Sequence, residues 1–240
     1  MRWILFIGLW WGLAAPGVAQ DLDYGLRLGG LFGGPIATNV PPDSSEGTPA
    51  WGPSGAVWVS YPVTERLRLR AELGYAWKGA SYGLTLRQDT NVVIEFLPGV
   101  QDTVPSFYVA DIAGRMALHY VELPVLLQYA VGWGITADAG VNVAYLVAGQ
   151  DTGRARIQIG EGGVFEDVVE PFDNYPTELN RLDVGVLAGM SYGFDLGLEL
   201  QLRGYRSLRD LYRKGFFDEQ GLPGNRNFHT QFYLGAGWRF

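Results

Sequence analysis

The chain contains no cysteine. That excludes a disulfide scaffold and any thiolate-held metal. Charge is scarce too: Asp, Glu, Lys and Arg make up 18% of residues, against about 25% in ordinary soluble domains. A fully hydrated surface is hard to build from such a chain. The net charge is −7 and no basic cluster appears, which argues against a nucleic-acid partner, because neutralising phosphates needs a basic face. Only two histidines exist, His119 and His229. The glycine-rich stretches lack the phosphate-binding spacing that precedes a helix, and no cofactor is implied. Beyond the N-terminus, no stretch free of Gly, Pro and charge reaches the about 20 residues of a spanning helix. Any membrane crossing therefore has to use strands.

Glycine, by contrast, is abundant at 34 residues and aromatic residues reach 14%, a composition that helices avoid because interior glycine costs about 0.5–1 kcal/mol relative to alanine. The first 20 residues read as a signal peptide. Arg2 supplies the positive start, Trp3–Leu13 the short apolar core, and Val18-Ala19-Gln20 a small-residue cleavage region. The expected organisation is a signal peptide over 1–20 and one barrel domain over 21–240.

Period-two alternation dominates the remainder, the pattern of strands with two different faces. Leu22, Tyr24, Leu26 and Leu28 share one face, and Asp23, Gly25, Arg27 and Gly29 the other. Leu67, Leu69, Ala71, Leu73, Tyr75 and Trp77 alternate with Arg68, Arg70, Glu72, Gly74, Ala76 and Lys78. Phe232, Leu234, Ala236, Trp238 and Phe240 alternate with Tyr233, Gly235, Gly237 and Arg239. Further runs lie near Ser54–Tyr61, Arg115–Tyr129, Trp133–Gly149, Leu179–Tyr192 and Leu196–Tyr205. The connections sort by length. Pro62–Arg66, Ala130–Gly132 and Gly193–Asp195 are short; Pro35–Pro53, Ala80–Gly114, Gln150–Glu178 and Arg206–Asn227 are long. Strict sorting of this kind belongs to outer-membrane barrels, with tight periplasmic turns and long extracellular loops. The expected fold is all-β: an eight-stranded antiparallel up-and-down transmembrane β-barrel. Pro124, inside a strand run, predicts a local distortion. Asn91–Leu97 predicts a hairpin extension above the membrane.

Alternation alone does not say which face is outside. Three features favour apolar-out. The other face carries small residues such as Gly74, Ala76, Gly140, Ala144, Gly185 and Gly189, which suit a narrow lumen. Tyr24, Tyr61, Trp77, Tyr129, Trp133, Tyr192 and Trp238 gather near strand ends, where interfacial girdles sit. The chain closes on Trp238 and Phe240, which resemble a C-terminal signal for the outer-membrane assembly machinery.

The stretch Leu118–Tyr129 (LHYVELPVLLQY) resembles the Tyr-Leu-Glu-Ile-Pro strand of the PorT-like outer-membrane barrel family. Leu182–Phe194 resembles that family's Asp-x-Gly strand, and Phe232–Phe240 its closing strand. The resemblance implies an eight-stranded outer-membrane barrel of OmpA/OmpX-type architecture, with a named member tied to protein export. At Tyr205–Asp210 the chain departs from the family's Gly-Leu-rich segment.

The lumen face is expected to carry a charge network: Arg27, Arg68, Arg70, Arg203 and Arg239 with Glu72, Glu122, Asp138, Asp183 and Glu199. Its pairing predicts a plugged barrel; a polar path for a small solute is the alternative. A barrel-embedded hydrolase would need His229 beside Ser207 and an acid. The acidic span Gln150–Glu178 lacks the ordered Asp spacing of a calcium loop. The expected partners are outer-membrane lipid, the assembly machinery during biogenesis, and an extracellular or export-complex protein. The function read from the residues is a non-enzymatic, structural or partner-binding barrel.

Overall fold

The computed structural model describes residues 22–38, 45–97, 100–159, 166–174, 179–213 and 226–240. The expected signal peptide lies outside the described residues. Among the described residues there are nine strands: β1 (Asp23–Thr38), β2 (Ser45–Pro62), β3 (Leu67–Leu97), β4 (Val100–Gly132), β5 (Ile135–Ile159), β6 (Glu166–Asn174), β7 (Leu182–Gly193), β8 (Leu198–Ser207) and β9 (Arg226–Arg239). Eight form a closed antiparallel ring. Consecutive strands pair from β1 to β5, then β5–β7, β7–β8 and β8–β9. The ring closes where β9 pairs β1, from Gly25↔Arg239 to Thr38↔Arg226. Closure removes the free edge, which in hydrocarbon would leave each backbone N–H and C=O unsatisfied at several kcal/mol apiece. The remaining strand, β6, pairs only the distal part of β5.

The apolar face points outward. Leu69, Leu73, Val125 and Leu234 are 46%, 56%, 37% and 58% exposed, whereas Arg70 and Glu72 are each 1% exposed. This is the reverse of a soluble barrel, which hides its apolar face. On β1 the outward aromatics Tyr24 and Phe32 lie eight residues apart, about 20 Å along the bilayer normal at the usual tilt. One girdle holds Tyr24, Tyr61, Tyr129, Trp133, Tyr192 and Trp238, all exposed beside the short turns and termini. The other holds Phe32, Trp51, Tyr75 and Tyr145, with the Phe32 and Trp51 rings 5.0 Å apart. The β4–β5 turn uses left-handed backbone at three successive residues, Gly132, Trp133 and Gly134. Trp133 is 92% exposed there, which sets its ring at the interface.

One expectation changes. Among the described residues, much of the long connections Pro35–Pro53, Ala80–Gly114 and Gln150–Glu178 is strand. β3 and β4 stay paired up to Leu97↔Val100, so Asn91–Leu97 does extend the hairpin, and Gln150–Glu178 folds back as the end of β5 with β6. Beyond the bilayer both faces of a strand meet water, so the alternation that marks a strand in lipid has no physical cause to persist. The distortion expected at Pro124 is a gap in the ladder, not a bulge: β3–β4 runs Ala71↔Val125, omits two pairs, and resumes at Gly74↔Glu122 in the same register. A bulge lies nearby on β5, where Val147 is the extra residue between His119↔Ala148 and Tyr120↔Leu146.

The orientation yields a depth-dependent prediction. Leu73→Arg, at mid-belt, should lower unfolding stability in lipid vesicles by about 2–4 kcal/mol, and Leu182→Arg, near the rim, by about 0–1 kcal/mol. Urea titration measures both; equal effects would contradict the assigned lipid face.

Candidate functional site

The lumen is built in layers along the barrel axis. At the periplasmic mouth, Arg68 pairs with Asp23, and Arg239 approaches the same carboxylate at 3.9 Å. These groups line a vestibule of about 340 Å³ with Trp58, Ser60, Gln128 and Glu199. Arg239 is half exposed and stands off from the deeper network.

The next layer centres on Glu72. Its carboxylate accepts hydrogen bonds from Arg27 Nε at 2.6 Å and Arg203 Nη1 at 2.8 Å, and forms an ion pair with Arg70, whose Nε lies 2.8 Å away. Arg203 also reaches Asp138 at 2.9 Å, and Arg70 reaches Glu199 at 3.1 Å. The guanidiniums of Arg27 and Arg70 lie over the rings of Tyr233 and Trp58, at 4.4 and 4.1 Å. Local sequence makes room for these rings. A Cβ on Gly25 would come within 2.5 Å of the Trp58 indole, and on Gly185 within 2.5 Å of the Tyr205 ring.

A second charged layer lies further toward the outside. Lys78 Nζ sits 2.8 Å from Glu122 and 3.4 Å from Asp183, between the rings of Tyr120 and Tyr205. Asn142 Nδ2 donates to Glu122 at 3.1 Å. Between the two layers only about 40 Å³ remains open. Lys78 stood on the lumen-facing parity of its strand, but its role as the hub of this layer emerges only from the strand register.

Above these layers the lumen turns apolar. Met116, Leu118, Tyr120, Ala144, Leu146, Leu179 and Leu211 form a buried cluster across the extracellular end, with Tyr82 and Tyr212 packed against it. Sequence patterning misses this cap because β4 is apolar on both faces: Leu118 and Leu126 point in while Val121 and Leu123 point out. Beyond the girdle, Tyr82 Oη donates to Asp151 at 2.8 Å. Burial raises the Asp151 carboxyl above its usual value, with the tyrosine hydrogen bond opposing, and burial also raises the Tyr82 hydroxyl.

The β8–β9 register runs to Arg206↔Thr230, so Ser207 falls opposite His229. Asp183 joins them, with Ser207 Oγ 2.5 Å from its carboxylate. A nucleophilic serine needs its hydrogen bond to histidine. Here it goes to the acid, and the buried His229 ring instead packs edge-on against Tyr120 at 5.9 Å. His119 faces outward and meets the Tyr75 hydroxyl. Among the described residues no three His, Asp or Glu converge on a point that could hold a metal. Trp238 and Phe240 face lipid beside the periplasmic mouth, where the Phe240 ring stacks on Tyr24 at 5.9 Å.

The family model for the outer membrane protein beta-barrel domain matches residues 18–213. The chain belongs to that family. It is an outer-membrane protein, and outer-membrane lipid surrounds it. The family is broader than the PorT-like group that Val121-Glu122-Leu123-Pro124 resembles. Among solved structures, Ail, the attachment invasion locus protein of Yersinia pestis, solved with the heparin analogue sucrose octasulfate, is similar at 10% identity and TM-score 0.43, covering 92% of this chain and 99% of that one. Neisserial surface protein A is similar at 12% identity and TM-score 0.36, with 90% and 95% covered. The outer membrane protein OprG from Pseudomonas aeruginosa is similar at 10% identity and TM-score 0.37, with 91% and 95% covered. No curated protein matches the chain in sequence.

Glu72 is the acceptor on which three arginines depend. Glu72→Ala should cost about 3–5 kcal/mol of unfolding stability, as removal of one partner from a buried ion pair does. Glu199→Ala, at the half-buried mouth, should cost clearly less. Urea unfolding in vesicles checks the ordering; equal losses would show that Glu72 is not the hub.

Proposed function

We propose that this protein is a non-enzymatic barrel that binds a protein partner through its extracellular hairpins, with a lumen that does not conduct. The observation that carries this reading is the fate of β3 above the membrane. The last described β2–β3 pair is Ser45↔Leu84, while β4 stays beside β3 to Leu97↔Val100. The span Thr85–Leu97 thus presents one edge with no strand neighbour among the described residues. A free edge exposes a row of N–H and C=O groups, a template for strand addition by another chain.

The plugged lumen supports the second half of the proposal. Two layers of paired charges and an apolar cap lie in series along the axis, and eight strands leave little interior to spare. The charge network of Arg27, Arg70, Glu72, Glu122, Asp138, Asp183, Glu199 and Arg203 is thereby assigned a structural role, with Arg68 and Arg239 at the mouth. The resemblance of Val121–Pro124 to the PorT-like group adds a protein-export assembly as the source of the partner. Trp238 and Phe240 are assigned to recognition by the assembly machinery.

Two measurements test the proposal. In planar bilayers the purified protein should show no discrete openings; stepwise conductance would favour the small-solute channel. A photo-crosslinking residue at Thr90 or Val92 in intact cells should give a discrete protein adduct that the same residue at Leu73 does not. Lipid adducts alone at all three positions would end the partner-binding reading.

A further inference from the structure

The lipid-facing wall is not uniform. Where β5, β7, β8 and β9 pass the outer half of the belt, the outward positions include Ala139, Ala188 and Gly204, and a groove of about 530 Å³ opens over them. Val186 and Phe232 form its apolar walls. In a bilayer such a dent does not stay empty, because lipid tails fill it, and its shape decides which tail packs best.

The extracellular end of this groove carries a cation. Arg206 lies on the outward face of β8, half-buried, in register with Thr230. Its guanidinium donates to the Thr230 hydroxyl and stands 5.3 Å over the Phe228 ring. An arginine on the lipid face is costly unless its head reaches the interface and meets an anion. Beyond it Arg209 and Arg213 are exposed. The nearby acid Asp210 is occupied, accepting from the backbone N–H groups of Tyr212 and Asn227. Among the described residues, Arg206, Arg209 and Arg213 therefore make the rim basic directly above an apolar seat.

We infer that this groove is a binding site for a phosphate-bearing lipid of the outer leaflet, with one acyl chain over Gly204 and Ala188 and a headgroup phosphate on Arg206. Guanidinium suits phosphate because it offers parallel N–H donors in a rigid fork. Charge complementarity selects the occupant: a neutral lipid fills the same dent and leaves Arg206 without a counter-charge.

The test uses the full-length protein purified in detergent, with native mass spectrometry counting retained lipid. The probes are lipid A and its dephosphorylated form. The wild type should retain lipid A about tenfold more than the dephosphorylated lipid, as expected for one charge-assisted phosphate contact. Arg206→Gln should abolish that preference. Gly204→Leu should lower retention of both lipids by filling the seat. The Gly204 position has room for the change, since an added Cβ meets no atom nearer than 3.8 Å. Heat-modifiable migration of each variant confirms that the barrel is folded. Excess inorganic phosphate should not displace bound lipid A. Unchanged retention in either variant, equal retention of the two lipids, or displacement by inorganic phosphate alone would each overturn the site.

Discussion

Every backbone polar group that meets hydrocarbon has to find its partner within the chain, and the rest of this structure follows from that requirement. Closure between β1 and β9 satisfies it. Closure at eight strands then sets the interior, which is only wide enough to be filled by side chains. Outward positions become lipid-soluble residues and inward positions become whatever fits the bore. Large inward rings such as Trp58 and Tyr205 fit because glycines 25 and 185 on adjacent strands leave the space that a Cβ would take.

A narrow interior also explains the arrangement of charge. Arg27, Arg70 and Arg203 project into a space with almost no room for water, so each needs an acceptor fixed by a strand. Glu72 supplies both oxygens to this task, while Asp138 also pairs with Arg203 and Glu199 with Arg70. The second layer inverts the arrangement: one cation, Lys78, serves two acids, Glu122 and Asp183. The first layer thus sets three cations against three acids, and the second sets one cation against two. Because the partners sit on different strands, the ion pairs also favour one register. A slip by one residue would turn every one of these charges into lipid.

The ring was legible in the sequence because lipid imposes period two. Arg27, Arg70 and Glu72 share the parity of small residues, and Leu69, Leu73 and Leu234 the parity of large apolar ones. Pairing was not legible, since Glu72 meets Arg203 across 131 residues and only the register places them together. The apolar cap was hidden for a different reason. Met116, Leu118 and Tyr120 are inward and apolar on a face where small or charged residues were expected, and the outward Val121 beside Tyr120 is apolar as well, so hydropathy carries little contrast there. The extended hairpins were hidden because alternation ceases where lipid ends. Lys78 and Ser207 lay on the right parity, but what each touches depends on chain neighbours that local pattern does not encode.

The same solvent argument decides where binding can occur. Within the belt a strand edge cannot remain open, and inside the lumen paired side chains already occupy the bore. Only beyond the extracellular rim can N–H and C=O groups stay unpaired at little cost, because water solvates them until a partner replaces it. The β3 span Thr85–Leu97 lies in that region, past the last described β2–β3 pair, with one edge unpaired among the described residues. A free edge there is compatible with a stable barrel below it. The barrel anchors the hairpin at one end through the β3–β4 ladder, which continues into the membrane and holds the edge in extended conformation. Holding a strand in its binding conformation lowers the ordering cost of association, and that favours recognition by the edge of this hairpin over recognition through the filled lumen.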